Sequence, residues 1–218
     1  MVCCEHGNYS GDLSSTGFER EMMIHEQLLA TSVPTGFYWF NEPRNHRLGN
    51  GLEIHTDGHT DFWQRTHYGF QRDNGHCLLT RVAGDFCVQT RVEFQPTEQY
   101  DQCGLMIRAD AETWIKASME YENPDLSRLG SVVTNLGYSD WGTQDVASHH
   151  REAWYRISRN ANDFLIESSF DGATWKQMRI AHLHGVGEQL EVGVYACSPI
   201  GRRFQCRFTS LKIGESAW

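Results

Sequence analysis

The sequence predicts an all-β protein, built as an antiparallel β-sandwich or a closed barrel. From residue 34 onward, short segments of five to ten residues with strand-like composition follow one another, and Gly, Asn, Asp or Pro separates them. No long helical period interrupts this series, and a chain of 218 residues fits one all-β domain. About a dozen short strands in one domain are typical of these two architectures.

Two regions are expected along the chain: an N-terminal extension, residues 1–33, and the β domain, residues 34–218. In the extension, residues 18–29 place apolar side chains near helical spacing, which predicts one short amphipathic helix. In the domain, the predicted strands lie, in chain order, within residues 52–56, 77–84, 86–94, 103–109, 113–121, 131–135, 154–160, 163–170, 174–180, 190–197 and 204–213.

Two hairpins can be recognised, with turns at residues 110–112 and 160–163. In the first hairpin, the strand over residues 113–121 has two different faces, because side chains alternate along a strand. Its apolar face is a core face and carries Ile115, Ala117, Met119 and Tyr121. Its other face carries Trp114, Lys116, Ser118 and Glu120, which is either ordinary solvent-exposed surface or part of a binding surface.

Residues 36–79 combine aromatic rings with amide, carboxylate and imidazole groups in a segment too polar to form a core. Such a mixture suits a sugar, whose apolar face stacks on Trp or Tyr while its hydroxyls bond to polar side chains. The alternative is that Trp39 and Trp63 are sandwich-core residues and that the polar groups occupy turns. A second aromatic–acidic stretch, residues 138–142, is expected to be a loop that acts as a lid or as a packed cover.

Composition excludes several classes of function. The net charge of −9 argues against nucleic-acid and anionic-membrane binding, and no segment has the roughly 20 apolar residues of a membrane span. No secretory signal is visible, so the seven cysteines are expected to be free thiols in the cytoplasm. Cys197 and Cys206 lie on the last two predicted strands, so they are the pair to test for a disulfide. We expect no cofactor and no metal site, although His59 and Asp61 would share a face if they lay on a strand.

Several motifs carry a family resemblance: GLMIRADAETWIKASMEY, SRLGSVVTNLGYSDWGT, SSFDGATWKQM, VGVYACSP and CRFTSLKI resemble a concanavalin A-like jelly roll. The WFNEP and TDFWQRTHYGFQRDNGH segments resemble, within that superfamily, the "regulation of enolase" type of domain of unknown function. The resemblance covers about residues 34–214 and implies two antiparallel sheets, with the ligand on a concave face. It implies no established reaction.

Retaining glucanases of this fold carry a Glu-x-Asp-x-x-Glu strand motif, which is absent here. Carboxylates from different strands can still meet, and Asp140 is one candidate of that kind. If the protein is an enzyme, the expected acid–base set is Glu42, Asp61, His76 and Glu120.

Three functions remain open: a carbohydrate- or metabolite-binding module with a possible regulatory role, a saccharide hydrolase or lyase, and a protein-interaction domain without a small ligand. The absent glucanase motif favours binding over catalysis. Trp63→Ala and Glu120→Gln are expected to abolish ligand binding in a folded protein. The predicted ligand site comprises Trp39, Asn41, Glu42, Asp61, Trp63, Tyr68, His76, Arg108, Lys116, Glu120, Asp140 and Trp141.

Overall fold

The computed structural model describes residues 31–201, 204–216 and 218, and the helix predicted within residues 18–29 lies outside this range. Every regular element in the described part of the chain is a β-strand, sixteen in all. Across these same residues, no helix has the length and apolar character needed to cross a membrane.

The described strands form two seven-stranded antiparallel sheets and one small hairpin, so the predicted jelly-roll sandwich is confirmed. Sheet 1 contains, in spatial order, β1 (Phe37–Phe40), β6 (His76–Ala83), β15 (Gln189–Cys197), β8 (Gln102–Asp110), β9 (Thr113–Tyr121), β10 (Leu126–Asn135) and β11 (Tyr138–Ala147). Sheet 2 contains β14 (Lys176–His182), β13 (Asp163–Ser169), β12 (Glu152–Asn160), β7 (Cys87–Gln95), β16 (Gln205–Gly214), β3 (Gly51–His55) and β2 (Asn45–Gly49). The hairpin consists of β4 (Phe62–Gln64) and β5 (Gln71–Asp73).

The main hydrophobic core lies between the two sheets. The alternation predicted for β9 is confirmed, because Ile115, Ala117 and Met119 belong to this core. Phe208 on β16 and Tyr155 on β12 reach the same cluster from the opposite sheet. Burial of such side chains on both inner faces holds the sheets together.

A second, smaller core lies on the face of sheet 1 that points away from the sandwich, which we call the outer face. Residues 58–75, the cover segment, lie across this face and include the small hairpin. Phe62 of the cover is fully buried and contacts Trp114 and Tyr195 edge-on, with both centroid distances 6.1 Å. A Cβ atom at Gly75 would lie 2.2 Å from the Phe62 ring, so glycine is required there for the close approach. Trp114 is therefore packed beneath the cover.

The loop predicted at residues 138–142 is wrong, because these residues begin strand β11. Among the described strands, this one is at the edge of sheet 1 and pairs with β10, where Trp141 lies opposite Val132. An exposed edge strand does not need an apolar face, so its sequence lacks the alternation that identifies strands. The short strands β1, β2, β4 and β5 are too brief to produce a recognisable pattern.

The described cysteines, Cys77, Cys87, Cys103, Cys197 and Cys206, are free. Cys197 belongs to the outer-face cluster, whereas Cys206 points into the main core, so these two thiols are not partners. The neighbour of Cys206 is Cys103 from the opposite sheet. We expect thiol titration of the denatured, unreduced protein to find all seven cysteines of the sequence free. A titre lower by two would indicate a disulfide.

Candidate functional site

A pocket of about 490 Å³ opens on the outer face of sheet 1, within the range of roughly 300–1,000 Å³ typical of small-molecule sites. The cover segment, β9, the β10–β11 edge and the loop after β15 surround it. Its residues fall into an aromatic wall, a charged base and a few aliphatic side chains. They are His59, Asp61, Trp63, Tyr68, Phe70, Arg72, Tyr100, Lys116, Glu120, Val132, Trp141, Pro199 and Ile200.

The wall of the pocket is aromatic, formed by Trp63, Tyr68, Phe70, Tyr100 and Trp141. Tyr68 is central to it, since its ring meets Trp63 edge-on at 5.5 Å and stacks on Phe70 at 5.7 Å. Tyr68 is 57% exposed and Phe70 is 40% exposed, so much of the aromatic surface is open to a ligand. Grouped exposed aromatics of this kind are typical of binding surfaces.

The backbone around the pocket is strained. His59, Arg65 and His67 in the cover segment have φ values of 61°, 55° and 61°, and Tyr100 has a φ of 71°. Non-glycine residues rarely adopt this left-handed region, and each such residue costs on the order of 1–3 kcal/mol. Two of these residues, His59 and Tyr100, line the pocket. Strain concentrated in this way is characteristic of functional sites, where the surrounding structure compensates for it.

The base of the pocket contains an ion pair between Lys116 and Asp61, with 3.4 Å between Nζ and Oδ1. The Lys116 side chain is only 4% exposed and that of Asp61 17%. Asp61 Oδ1 also accepts a hydrogen bond of 2.7 Å from the Phe62 amide, which fixes the carboxylate at the start of the cover hairpin. Burial lowers the pKa of Lys116, but the negative charges around it, Asp61 first, outweigh this and raise its pKa overall.

Glu120 is the second acidic group at the base, on the same face of β9 as Lys116. Burial raises the pKa of Glu120 to about 8, and neither the nearby Lys116 charge nor a hydrogen bond from Gln102 offsets that effect. The bond runs from Gln102 Nε2 to Glu120 Oε2 and is 2.6 Å long. At neutral pH the side chain is therefore mostly an uncharged carboxylic acid.

The structure brings together half of the residues proposed from the sequence. Those that line the pocket are Asp61, Trp63, Tyr68, Lys116, Glu120 and Trp141. Among the aromatic residues of the pocket wall, Trp63 is the least exposed, at 9%. Its indole N–H donates a hydrogen bond to the Thr66 carbonyl. Trp63→Ala is therefore expected to disturb the cover segment itself, and it is a poor test of ligand contact.

Three predicted residues near the start of the domain lie elsewhere. Trp39 is packed against the main core beside His46, with 4.7 Å between ring centroids. Asn41 donates its amide to the carbonyls of Asp73 and Gly75 at 3.1 and 3.2 Å, so it holds the end of the cover segment. Glu42 is exposed, and one of its carboxylate oxygens lies 3.7 Å from His46 Nε2.

His76 has a structural role. Its Nδ1 lies 2.6 Å from the Asn41 carbonyl and therefore carries the proton, and its Nε2 accepts the Asp57 amide at 3.0 Å. Both ring nitrogens are thus engaged by backbone groups. Burial lowers the pKa of His76, in agreement with a neutral ring. It lies outside the pocket and has no free nitrogen for acid–base work.

The last two predicted residues are also held in ion pairs outside the pocket. Arg108 lies on the outer face, but it makes a bidentate contact with Asp73, both bonds 2.8 Å, beneath the Phe40 ring. Asp140 is exposed on β11 and pairs with Arg179 at 2.8 Å. The Arg108 guanidinium and the Asp140 carboxylate are thus each paired with an oppositely charged side chain. The sequence alone predicts neither of these pairs.

His59 and Asp61 lie in a turn and an irregular stretch, so the strand geometry considered from the sequence does not occur. Over residues 31–201, 204–216 and 218, no group of three or more His, Cys, Asp or Glu side chains is placed to hold a metal ion.

Other pocket residues were missed by the sequence reasoning. Phe70 and Arg72 belong to the polar–aromatic segment, so the same composition signal covers them. His59, which the sequence reasoning considered only as a partner of Asp61, lines the pocket as well. Tyr100 and Ile200 come from loops far along the chain, where no local pattern identifies them. Only the fold places these loops beside the cover segment.

Comparison with known proteins places the chain among proteins without an assigned reaction. Residues 39–216 match the family model described as "Protein of unknown function (DUF1349)". The curated protein "Regulation of enolase protein 1" of Saccharomyces cerevisiae is 36% identical over 162 residues, which are 74% of this chain and 80% of that protein. A solved structure of a functionally unknown S. cerevisiae protein superposes with a TM-score of 0.79 at 32% identity, covering 84% of this chain and 98% of that one.

The sandwich also resembles part of larger enzymes. A GH43 protein from Bacillus licheniformis superposes with a TM-score of 0.69 at 12% identity, over 88% of this chain and 39% of that one. A xylan β-1,4-xylosidase from Bacillus halodurans gives 0.67 at 13% identity, over 87% of this chain and 38% of that one. The chain thus spans well under half of these enzymes, and at such identities the likeness concerns the fold alone.

Proposed function

The chain belongs to the DUF1349 family of proteins of unknown function, and we propose that it binds a small saccharide or similar polyhydroxylated metabolite. The proposed site is the pocket on the outer face of sheet 1. The observation that carries this proposal is the combination of exposed aromatic rings with a polar base in which Lys116 is buried and Asp61 and Glu120 are partly exposed. Ring faces stack on the C–H face of a sugar, while the base offers both donors and acceptors to its hydroxyls.

A regulatory role agrees with this proposal. The yeast relative is named for the regulation of enolase, and a pocket that binds a metabolite without transforming it suits a protein that senses its ligand. The net charge of −9 and the free described thiols support a cytoplasmic protein that binds neither nucleic acid nor membranes.

Trp141→Ala tests the proposal, because this partly exposed residue contributes to the aromatic wall from an edge strand. Screening on a glycan array, followed by calorimetric titration of the best saccharide, should show about tenfold weaker binding, the effect of losing roughly 1.4 kcal/mol of stacking. The matched control is Trp175→Ala, a half-buried tryptophan near sheet 2 on which Arg156 stacks at 4.2 Å. An equal loss in both variants, or no binding saccharide at all, would contradict the proposal.

A second candidate function is saccharide hydrolysis or elimination, favoured by the proton that Glu120 retains near neutral pH in a pocket shared with the carboxylate of Asp61. Glu42 and His76 drop out of the acid–base set because they lie outside the pocket. An activity screen on ordinary and oxidised glycosides tests this candidate. Turnover that disappears in Glu120→Gln would support an enzyme, whereas saturable binding without turnover supports the binding protein.

A further inference from the structure

We infer that the pocket binds an anionic saccharide, one that carries a carboxylate or phosphate group, and that Arg72 holds this group at the mouth of the pocket. This inference rests on the proposed function and specifies the ligand class of the same site. The aromatic wall and the polar base receive the sugar ring and its hydroxyls, while the Arg72 guanidinium receives the negative charge.

The small hairpin of the cover segment directs Arg72 into the pocket. Arg72 lies on β5, directly opposite Trp63 on β4. Residues paired across two antiparallel strands extend their side chains from the same face, and both of these side chains line the pocket. The guanidinium carbon of Arg72 lies 5.7 Å from the centroid of the Phe70 ring, and this ring stacks on Tyr68. The aromatic wall therefore continues into a positively charged group.

Most of the hydrogen-bond donors of Arg72 are available to a ligand. Its Nη1 donates a bond of 3.3 Å to the carbonyl of the neighbouring Gln71, and among the described residues no carboxylate pairs with it. The other Lys or Arg side chain of the lining, Lys116, is paired with Asp61. The protein has a net charge of −9, so carboxylates are abundant on its surface. A guanidinium offers five N–H donors in a fixed fork, which fits carboxylate and phosphate groups.

The charges of the lining also fix the direction in which such a ligand enters. Asp61 and Glu120 belong to the base, whereas Arg72 is exposed on the hairpin. Asp61 accepts hydrogen bonds from hydroxyl groups, but its negative charge disfavours a second anion beside it. Glu120 accepts from hydroxyls in either charge state. The hydroxyl-bearing end of the saccharide is therefore expected at the base and its anionic group at Arg72.

The experiment begins with a glycan array that carries neutral, uronate-containing and phosphorylated saccharides, which identifies the hexose that binds best. Calorimetry at pH 7 then compares this hexose, its uronate and its 6-phosphate. We expect the wild type to bind at least one of the two anionic forms about tenfold more tightly than the neutral hexose. This difference corresponds to roughly 1.4 kcal/mol, near the lower end for a hydrogen bond to a charged group. The uronate and the 6-phosphate decide between the two anionic groups.

Three variants test the assignment to Arg72. Arg72→Gln keeps hydrogen-bond donors but removes the charge, so the tenfold preference should disappear while the neutral hexose binds as before. Arg72→Lys keeps the charge without the planar fork and should retain part of the preference. Lys212→Gln is the matched control, because Lys212 is an exposed cation on β16 of sheet 2 and its loss changes the net charge by the same amount. It should leave all three affinities unchanged.

Two kinds of failure can be told apart. If no saccharide of any class binds, the proposed function is overturned together with this inference. If the neutral hexose binds as tightly as both anionic forms, or if Arg72→Gln keeps the preference, the inference is overturned while a saccharide site remains. An equal loss in Lys212→Gln would also overturn it, because the effect would then come from overall charge. Unchanged near-ultraviolet circular dichroism of each variant verifies that the comparison concerns folded protein.

Discussion

Phe62→Ala is expected to destabilise the protein by about 3–5 kcal/mol and to release the cover segment from sheet 1. Phe62 is fully buried and fills the space between Phe40, Trp114 and Tyr195. Removing the ring leaves a cavity in the outer-face cluster, into which the cover hairpin inserts this phenylalanine. Because cover residues form one side of the pocket, ligand binding should be lost as well.

Hydrogen exchange with mass spectrometry distinguishes local release from general destabilisation. In Phe62→Ala, exchange should increase first in residues 58–75, while the strands of sheet 2 remain protected. Phe208→Ala is the matched control, since Phe208 is equally buried but lies in the main core. It should cost a similar free energy of unfolding and raise exchange through both sheets. Identical exchange patterns in the two variants would show that the cover is not a separate unit.

Asp61→Ala is expected to cost about 3–5 kcal/mol, because it removes the carboxylate that pairs with the buried Lys116 ammonium. It also removes the acceptor of the Phe62 amide. Lys116→Met should cost less, since the Asp61 side chain retains some exposure to water and keeps that amide bond. Chemical denaturation at pH 7 measures both free energies of unfolding.

The double variant Asp61→Ala/Lys116→Met separates the charge effect from the loss of packing. It should recover more than half of the stability lost in Asp61→Ala, because no buried charge remains. Additive losses in the double variant would contradict the view that Lys116 depends on Asp61 for its charge.

The fold could be predicted from the sequence because its signals are local. Alternation placed Ile115 and Met119 in the core and Lys116 and Glu120 on the opposite face of β9, and the structure agrees. Turn residues marked both hairpins. The edge strand β11 was missed because it has no apolar face to alternate with.

The site could be predicted only in part, because its contacts are long-range. Composition identified the polar–aromatic segment, but nothing local distinguishes a ligand-facing residue from one that holds the backbone. His76 and Asn41 have the chemistry of a binding site, yet their polar atoms are engaged by backbone groups of distant residues. The protonated state of Glu120 arises from burial and from the charges around it, which exist only once the fold has formed.

The most direct test of the binding site is a saccharide titration monitored by heteronuclear NMR. The indole N–H signals of the seven tryptophans are the probes. We predict saturable shifts of the Trp63 and Trp141 signals, which report on the pocket, whereas the signals of Trp154 on sheet 2 and of Trp175 just before β14 should not change. Shifts confined to Trp154 and Trp175, or no saturable shift with any saccharide, would contradict a ligand site on the outer face of sheet 1.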